Sequence, residues 1–253
     1  MFDFTDKVAL VTGSSRGIGR EIARMLAQAG AKVIIHYVRN REAADEVMQA
    51  LGGEPHIIVQ ADMGDAEAVR AMVEQAIDRF GRLDILVNNA GIYEAHPIAD
   101  VSYEQWQESW QQVINVNLLG AANAIYCAAR QMIKQRSGRI INISSRGAFR
   151  GEPESPAYGA SKNGMNAMSG SLAKYLAPYN IYVATVAPGF VETEMAAQSL
   201  AGESGRQIRA QSPLNRVARP EEVAYAALFL ASDGAEFSTG TIVDVNGASY
   251  LRQ

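Results

Sequence analysis

The sequence predicts an α/β fold: a doubly wound sheet of seven mostly parallel strands with helices on both faces. Short runs of β-branched and other apolar residues recur along the chain, and amphipathic helical stretches alternate with them. Strands that alternate with helices in this way form a mostly parallel sheet that is covered on both sides. No linker, repeat or low-complexity stretch interrupts the pattern, so we predict a single domain over residues 1–253.

The predicted strands are short runs with high strand propensity. They lie at residues 7–12, 31–37, 56–60, 84–89, 139–145, 181–187 and 241–246. The first helix begins near Ile18, where apolar residues start to recur at helical spacing, and Gly30 stands where its C-cap belongs. The other helices are predicted at about 40–51, between Asp65 and Gly81, at about 103–135, from Pro156 to about 177, and at 220–232. Residues 189–219 show only weak helical patterns and are predicted to be irregular.

Composition and charge exclude several classes of function. The formal net charge is −4 and 48% of the residues are apolar, which does not fit a nucleic-acid-binding surface. The chain has no apolar run near the ~18 residues of a membrane span and no signal peptide, so we expect a cytoplasmic protein without membrane contact. Cys127 is the single cysteine, and His36, His56 and His96 lack ligand spacing, so neither a disulfide nor a metal site is predicted.

A glycine-rich loop, VTGSSRGIGR at 11–20, joins the first predicted strand to the first helix. A helix N-terminus offers unpaired N–H groups and partial positive charge to a pyrophosphate, and glycine lets the backbone approach that ligand. The spacing, Gly13-x3-Gly17-x-Gly19, differs from the common G-x-G-x-x-G, and no phosphate-loop lysine follows. On its own the loop is therefore either a phosphate cradle or a tight turn.

Further motifs along the chain give the loop a context. They are Thr12-Gly13-x3-Gly17-x-Gly19, Asn88-Asn89-Ala90-Gly91, Ser145, Tyr158-x3-Lys162 and Pro188-Gly189. Together they resemble the classical short-chain dehydrogenases/reductases, and stretches such as GRIINISS and VAPGFVETEM are most similar to the beta-ketoacyl-(acyl carrier protein) reductases of that family. The resemblance implies a single Rossmann-like NAD(P)-binding domain, with a substrate loop at about 189–219.

The end of the second predicted strand indicates which cofactor binds. NAD-binding sheets usually place an acid there to bond the ribose 2′-OH, whereas this segment offers Arg39 and Arg41, and Arg16 lies in the glycine loop. Arginine binds phosphate through paired, charge-assisted hydrogen bonds. We therefore predict NADPH/NADP+ as the cofactor. The alternative is that Arg39 and Arg41 are solvated residues at the start of a helix.

The resemblance also implies the residues that bind the cofactor. Asp62 would contact the adenine, unless it only closes a turn, and Val191 and Thr193 would bond the carboxamide. The full set is Gly13, Ser15, Arg16, Gly17, Ile18, Gly19, Tyr37, Arg39, Asp62, Met63, Asn89, Ala90, Gly91, Tyr158, Lys162, Pro188, Gly189, Val191 and Thr193.

Tyr158, Lys162 and Ser145 have the chemistry that carbonyl reduction needs. Tyr158 and Lys162 are four residues apart and share one helix face. A phenol can protonate the alkoxide that hydride addition leaves, and a lysine ammonium at ~4 Å would lower its pKa by roughly three units. Ser145 would hold the carbonyl oxygen by a hydrogen bond, and Ser144 is the alternative residue for this role. An isolated Tyr-x3-Lys pair would more often be a packing pair, so this prediction depends on the other motifs.

Two further predictions concern the surroundings of this trio. Ser155 and Pro156 offer an N-cap and a first-turn proline, which puts Tyr158 in the first turn of its helix. The resemblance implies that Asn117 takes part in a proton relay with water and Lys162.

The leading prediction is an NADPH-dependent reductase of a ketone, of the 3-oxoacyl thioester class. Carrier-protein docking in that class uses two basic positions, of which one is Arg136 here and the other is Tyr179. The stretch before Tyr158 is charged, with Arg146, Arg150, Glu152 and Glu154, which favours a charged or polar carbonyl compound. The alternative substrate class is a small ketone, sugar or cyclic alcohol. A non-catalytic NADP-binding protein is the third possibility, and the resemblance implies a homotetramer.

Overall fold

A computed structural model describes residues 2–53 and 55–252. Its sheet has seven strands in the order β3-β2-β1-β4-β5-β6-β7, and every neighbouring pair is parallel, which confirms the predicted doubly wound fold. The strands are β1 Val8–Val11, β2 Lys32–Tyr37, β3 Ile57–Gln60, β4 Ile85–Asn88, β5 Gly138–Ile143, β6 Ile181–Pro188 and β7 Ile242–Val245. That the chain forms a single domain stays a prediction.

Helices lie between the strands at nearly all of the predicted places. They are α1 Gly17–Gln28, α2 Arg41–Leu51, α3 Ala66–Phe80, α4 Tyr103–Ile114, α5 Gly120–Gln135, α6 Gly147–Arg150, α7 Pro156–Leu176, α8 Gly202–Ala210 and α9 Pro220–Ala231. Of the helices in the described part of the chain, none is both long and apolar enough to cross a membrane.

Both faces of the sheet are buried, because side chains alternate along each strand. Ala9 and Val11 of β1 point into one core cluster, which α1, α2 and α9 complete. Val8 and Leu10 point into a second cluster, which α3, α5 and α7 complete. Two apolar layers explain why the central strands read as continuous apolar runs in the sequence.

Two segments differ from the prediction. The helix expected at about 103–135 is interrupted by a π-helical turn, Asn115–Leu119, between α4 and α5. The segment 189–219, expected to be irregular, contains α8. This helix buries only Gly205, so it lacks the apolar stripe by which a helix is recognised in a sequence.

The order of the strands creates a crevice at one edge of the sheet. The chain runs outward from β1 to β2 and β3, and then returns to the other side of β1 at β4. Open α/β sheets bind ligands at the carboxyl ends of the strands where the order reverses in this way. The glycine loop follows β1, and Asn89 to Gly91 follow β4, at that point.

Candidate active site

A cleft of about 1960 Å³ lies at the carboxyl edge of the sheet. The predicted site residues line it, except Gly19 and Asn117. The structure therefore brings together segments that are far apart in the sequence, from the glycine loop to the stretch after β6. Such convergence is what a dinucleotide site at a switch point requires.

The glycine loop passes so close to the segment after β4 that two of its positions leave no room for a side chain. Gly13 has φ +64°, and a Cβ there would lie 3.0 Å from the Cα of Ala90. A Cβ on Gly19 would overlap the side chain of Asn89 and the carbonyl of Gly13. Gly13 and Gly17 therefore line the cleft, whereas Gly19 lies on the side of the loop that packs against Asn89.

The two motifs on either side of this contact are bonded to each other. Thr12 Oγ1 accepts the backbone N–H groups of Asn89 and Ala90, both at 3.0 Å. The side-chain amide of Asn89 donates to the carbonyls of Thr12 and Gly13 at 2.9 and 3.1 Å. The Asn-Asn-Ala-Gly motif therefore braces the glycine loop as well as lining the cleft.

His36, on β2, also holds the glycine loop, a role that the sequence did not reveal. It is fully buried on β2, and its Nδ1 accepts the N–H of Gly13 at 2.8 Å while its Nε2 lies 3.0 Å from the carbonyl of Ala61. Accepting at Nδ1 and donating at Nε2 requires a neutral ring. Burial lowers the pKa of His36, against smaller opposite effects of Ala61 and Asp62, and so keeps the ring neutral.

The three arginines near the end of β2 and in the loop differ in their partners. Arg41 pairs with Asp45 on α2, with Nε 3.0 Å from the carboxylate, so its charge is already compensated. Arg39 is exposed and has no ion pair within residues 2–53 and 55–252. Arg16, 61% exposed, lies 3.8 Å from Glu194, a loose contact across the cleft.

The sequence left open whether Asp62 closes a turn or lies where it can contact the adenine, and its side chain does close a turn beside the cleft. Its Oδ1 accepts the N–H of Gly64 at 2.8 Å, which closes the turn after β3. The same side chain also lines the cleft.

The segment after β6 forms the opposite wall. Pro188, Gly189, Val191 and Thr193 all line the cleft. A Cβ on Gly17 would lie 3.3 Å from the methyl group of Thr193, so the two walls nearly meet at this point.

The two serines after β5 have different hydrogen-bond partners, which helps to decide which of them would hold the substrate carbonyl. Ser144 is buried, and its hydroxyl donates to the carbonyl of Lys162 at 3.2 Å. Ser145 accepts the N–H of Gly147 at 3.0 Å, and its hydroxyl also lowers the pKa of Tyr158 against the larger effect of burial. Ser145 is therefore the serine whose hydroxyl is coupled to the tyrosine.

Tyr158 and Lys162 lie on one face of α7, but the expected effect of the lysine on the tyrosine is wrong for this structure. Burial raises the pKa of Tyr158 to about 12, where the sequence predicted a lowered value. Lys162 Nζ donates to the carbonyl of Ile143 at 2.8 Å and lies 5.7 Å from the centre of the tyrosine ring. Burial also lowers the pKa of Lys162 to about 8, so desolvation dominates at both groups.

Asn117 lies behind the cleft, inside the π-helical turn. Its side chain accepts the N–H of Ile92 at 2.8 Å and donates to the carbonyl of the same residue at 2.9 Å. It also donates to Ser161 on α7 at 3.2 Å. A Cβ on Gly91 would lie 3.2 Å from Asn117 Oδ1 and 3.4 Å from Lys162 Nζ. Asn117 therefore ties the loop after β4 to the helix that carries the reacting residues.

The expected cap of α7 is also different. Ser155 occupies the N-cap position, but its hydroxyl makes no cap bond and is buried without a partner among the described residues. Instead, His96 Nε2 accepts the N–H of Ala157 at 3.3 Å, while its Nδ1 lies 2.8 Å from the carbonyl of Glu94. No local sequence pattern indicates this contact, because 61 positions separate the two residues.

Known proteins resemble this chain over almost its whole length. A family model described as enoyl-(acyl carrier protein) reductase matches residues 13–248. The 3-oxoacyl-(acyl-carrier-protein) reductase FabG of Staphylococcus aureus is 40% identical over 97% of this chain and 98% of its own length. The protein of the same name from Aquifex aeolicus is 42% identical over 96% and 97%. A crystal structure of a dehydrogenase/reductase from Sinorhizobium meliloti has a TM-score of 0.89 and 31% identity, and covers 98% of this chain and 97% of its own.

Proposed function

Since this chain belongs to the short-chain dehydrogenase/reductase family, whose members are oxidoreductases that bind a nicotinamide cofactor, we propose that it reduces a ketone to an alcohol with NADPH. The observation that carries this proposal is a single cleft that both groups of residues line. Ser145, Tyr158 and Lys162 lie at one end of it, and the glycine loop lies at the other. The relatives named as 3-oxoacyl-(acyl-carrier-protein) reductases favour a 3-oxoacyl thioester as the substrate.

The residues that line the cleft fit the proposed cofactor. The first backbone N–H groups of α1, which begins at Gly17, are open to a pyrophosphate, and a Cβ on Gly17 would narrow the cleft towards Thr193. Arg39 and Arg16 supply positive charge for a 2′-phosphate, and no carboxylate of β2 opposes it. Val191 and Thr193 on the opposite wall would bond the carboxamide. When bound, the cofactor supplies the hydride.

The chain's own residues would hold the carbonyl and deliver the proton. Ser145 donates a hydrogen bond to the carbonyl oxygen, which places that oxygen beside Tyr158. Because its pKa is about 12, Tyr158 is protonated at neutral pH and can donate the Oη proton as negative charge develops on the substrate oxygen. Lys162 is mostly charged below its pKa of about 8, and the ammonium stabilises the phenolate that remains. Asn117 holds the loop after β4 against α7, the helix that carries Tyr158 and Lys162, and the family resemblance assigns it a proton relay with water and Lys162.

Further proposals concern partners. Arg136 stacks on the ring of Tyr179 at 5.6 Å, so the two positions that would dock an acyl carrier protein form one patch with a single charge. The family resemblance implies a homotetramer, and the exposed tyrosines on α4, α5 and α7, namely Tyr103, Tyr126 and Tyr175, are available for contacts between subunits. The cytoplasm stays the predicted location.

The substitution Tyr158→Phe tests the proposed function. It removes the proton donor and leaves the ring, so we expect kcat for ketone reduction to fall by at least ~100-fold while NADPH binding is retained. The measurement is NADPH oxidation with acetoacetyl thioesters and a panel of small ketones, together with the Kd of NADPH from fluorescence. A wild-type protein that binds NADPH but reduces no member of this panel would instead be the non-catalytic alternative.

A further inference from the structure

Glu152 is a mostly buried carboxylate at the substrate end of the cleft. Its side chain is 18% exposed and lines the cleft. Within residues 2–53 and 55–252, no N–H or O–H group donates a hydrogen bond to this carboxylate, and its one ion pair is a long one, with Arg150 Nε 3.9 Å from Oε1. The carboxylate oxygens are not fully buried and reach the cleft, so a donor on a ligand that enters the cleft would supply the partner they lack.

The carboxylate borders the place where the substrate carbonyl would lie. A Cβ on Gly147 would overlap Glu152 Oε1, and the N–H of Gly147 donates to Ser145 Oγ. Burial and, to a smaller extent, the charge of Glu152 raise the pKa of Tyr93. Burial and the charge of Glu152 also raise the pKa of Tyr158, whereas the hydroxyl of Ser145 lowers it. The two tyrosine rings are 5.2 Å apart. Glu152 therefore faces the part of a substrate that lies next to its carbonyl group.

The charges around Glu152 indicate which kind of donor fits. Burial raises the pKa of Glu152, whereas Arg150 and Arg146 act to lower it, so two cations already face the carboxylate. Arg146 is almost fully buried, and its guanidinium is held by neutral oxygen acceptors at 2.6 and 2.7 Å. Glu154 adds a negative charge, but at an exposed position. A cationic substrate group would meet two arginines here, whereas a neutral hydroxyl group would not be repelled.

We propose that Glu152 determines substrate specificity by accepting a hydrogen bond from a hydroxyl group of a hydroxylated ketone. This inference rests on the proposed ketone reduction and narrows its substrate class. A hydrogen bond to a charged acceptor is stronger than one between neutral groups, and a site with an unpaired polar group discriminates against an analogue that lacks the partner.

Isosteric pairs of ketones test the proposal. Hydroxyacetone and butanone differ only by a hydroxyl in place of a methyl group, and two homologous pairs move the hydroxyl one and two carbons further from the carbonyl. We expect wild-type kcat/KM to favour the hydroxylated member of at least one pair by about tenfold or more. Turnover of both members of every pair at equal kcat/KM would overturn this inference alone. Turnover of no ketone would overturn the proposed function and this inference with it.

Variants connect the preference to Glu152. Glu152→Leu should abolish it, and Glu152→Gln, which keeps an acceptor oxygen, should retain a reduced preference. The matched control is Glu192→Leu, the same change at an exposed glutamate that does not line the cleft, which should leave the preference unchanged. The Kd of NADPH is measured for each variant and should not change, which shows that the cleft is folded. A preference that persists in Glu152→Leu, or that disappears in Glu192→Leu as well, would contradict the proposal.

Discussion

At the end of β2, single side chains decide which cofactor the cleft can accept. The strand ends in Tyr37, which is buried, and no carboxylate follows it before α2. Arg39 is exposed at the cleft, whereas Arg41 is committed to Asp45. An unpaired guanidinium is available to a phosphate, and a paired one would first have to leave its carboxylate. Of the two arginines, Arg39 is therefore the better candidate for the 2′-phosphate.

Arg39→Asp is expected to lower the preference for NADPH over NADH by about 10- to 100-fold, because it replaces a charge-assisted hydrogen bond by repulsion. The measurement is the ratio of kcat/KM for the two cofactors. Arg41→Ala is the control and should leave the ratio nearly unchanged. An unchanged ratio in Arg39→Asp, or an equal loss in Arg41→Ala, would assign the phosphate to another group.

The residues that sequence reasoning missed share a physical cause. Tyr158 and Lys162 could be found because both lie on one helix, at a spacing that places them on one face. His36 acts on Gly13, and His96 on Ala157, across strands and loops that only the fold brings together. The raised pKa of Tyr158 was missed for the same reason, since burial depends on every element packed around a group.

At the scale of elements, α7 shows how local patterns can mislead. Ser-Pro at 155–156 is a typical helix start, and α7 does begin at Pro156. The cap, however, comes from His96 in the loop after β4. The orientation of the first turn, and with it Tyr158, is therefore linked to the segment that also braces the glycine loop.

This arrangement predicts unequal effects of two substitutions. His96→Leu leaves the N–H of Ala157 and the carbonyl of Glu94 unpaired in a buried place, so we expect the free energy of unfolding to fall by about 1–3 kcal/mol and kcat to fall with it. Ser155→Ala removes a hydroxyl without a described partner and should cost less than ~0.5 kcal/mol. Urea unfolding and kcat measure both. If Ser155→Ala were the more damaging change, the cap would belong to Ser155 after all.

At the scale of the whole molecule, the sheet could be predicted because strands that are buried on both faces are apolar at nearly every position. Ala9 and Val11 enter one core cluster and Val8 and Leu10 the other, so β1 is apolar at every position. The cleft could be placed for a related reason, since parallel strands end at one edge. The charged stretch before Tyr158 was also visible in the sequence, but the burial of Glu152 was not, because it depends on how α6 and α7 pack.

The stability of the whole protein should depend on the protonation of His36. Burial holds its pKa in the folded protein below 6.5, the value expected for an unfolded chain. Below pH 6.5 the unfolded chain therefore binds more protons than the folded one, and stability falls as the pH falls, by up to about 1.4 kcal/mol per pH unit from this group. Well above pH 6.5 the ring is neutral in both states, and its contribution no longer changes.

His36→Asn isolates this effect, because Asn Oδ1 can accept the N–H of Gly13 and does not titrate. Free energies of unfolding measured in urea from pH ~8 to pH ~5 should fall more steeply for the wild type than for the variant, and only below about pH 6.5. The variant lacks the bond to Ala61, so it should start from a lower stability at neutral pH. Parallel curves would mean that the buried ring tolerates a proton, and that the contact with Gly13 can rearrange without loss to the fold.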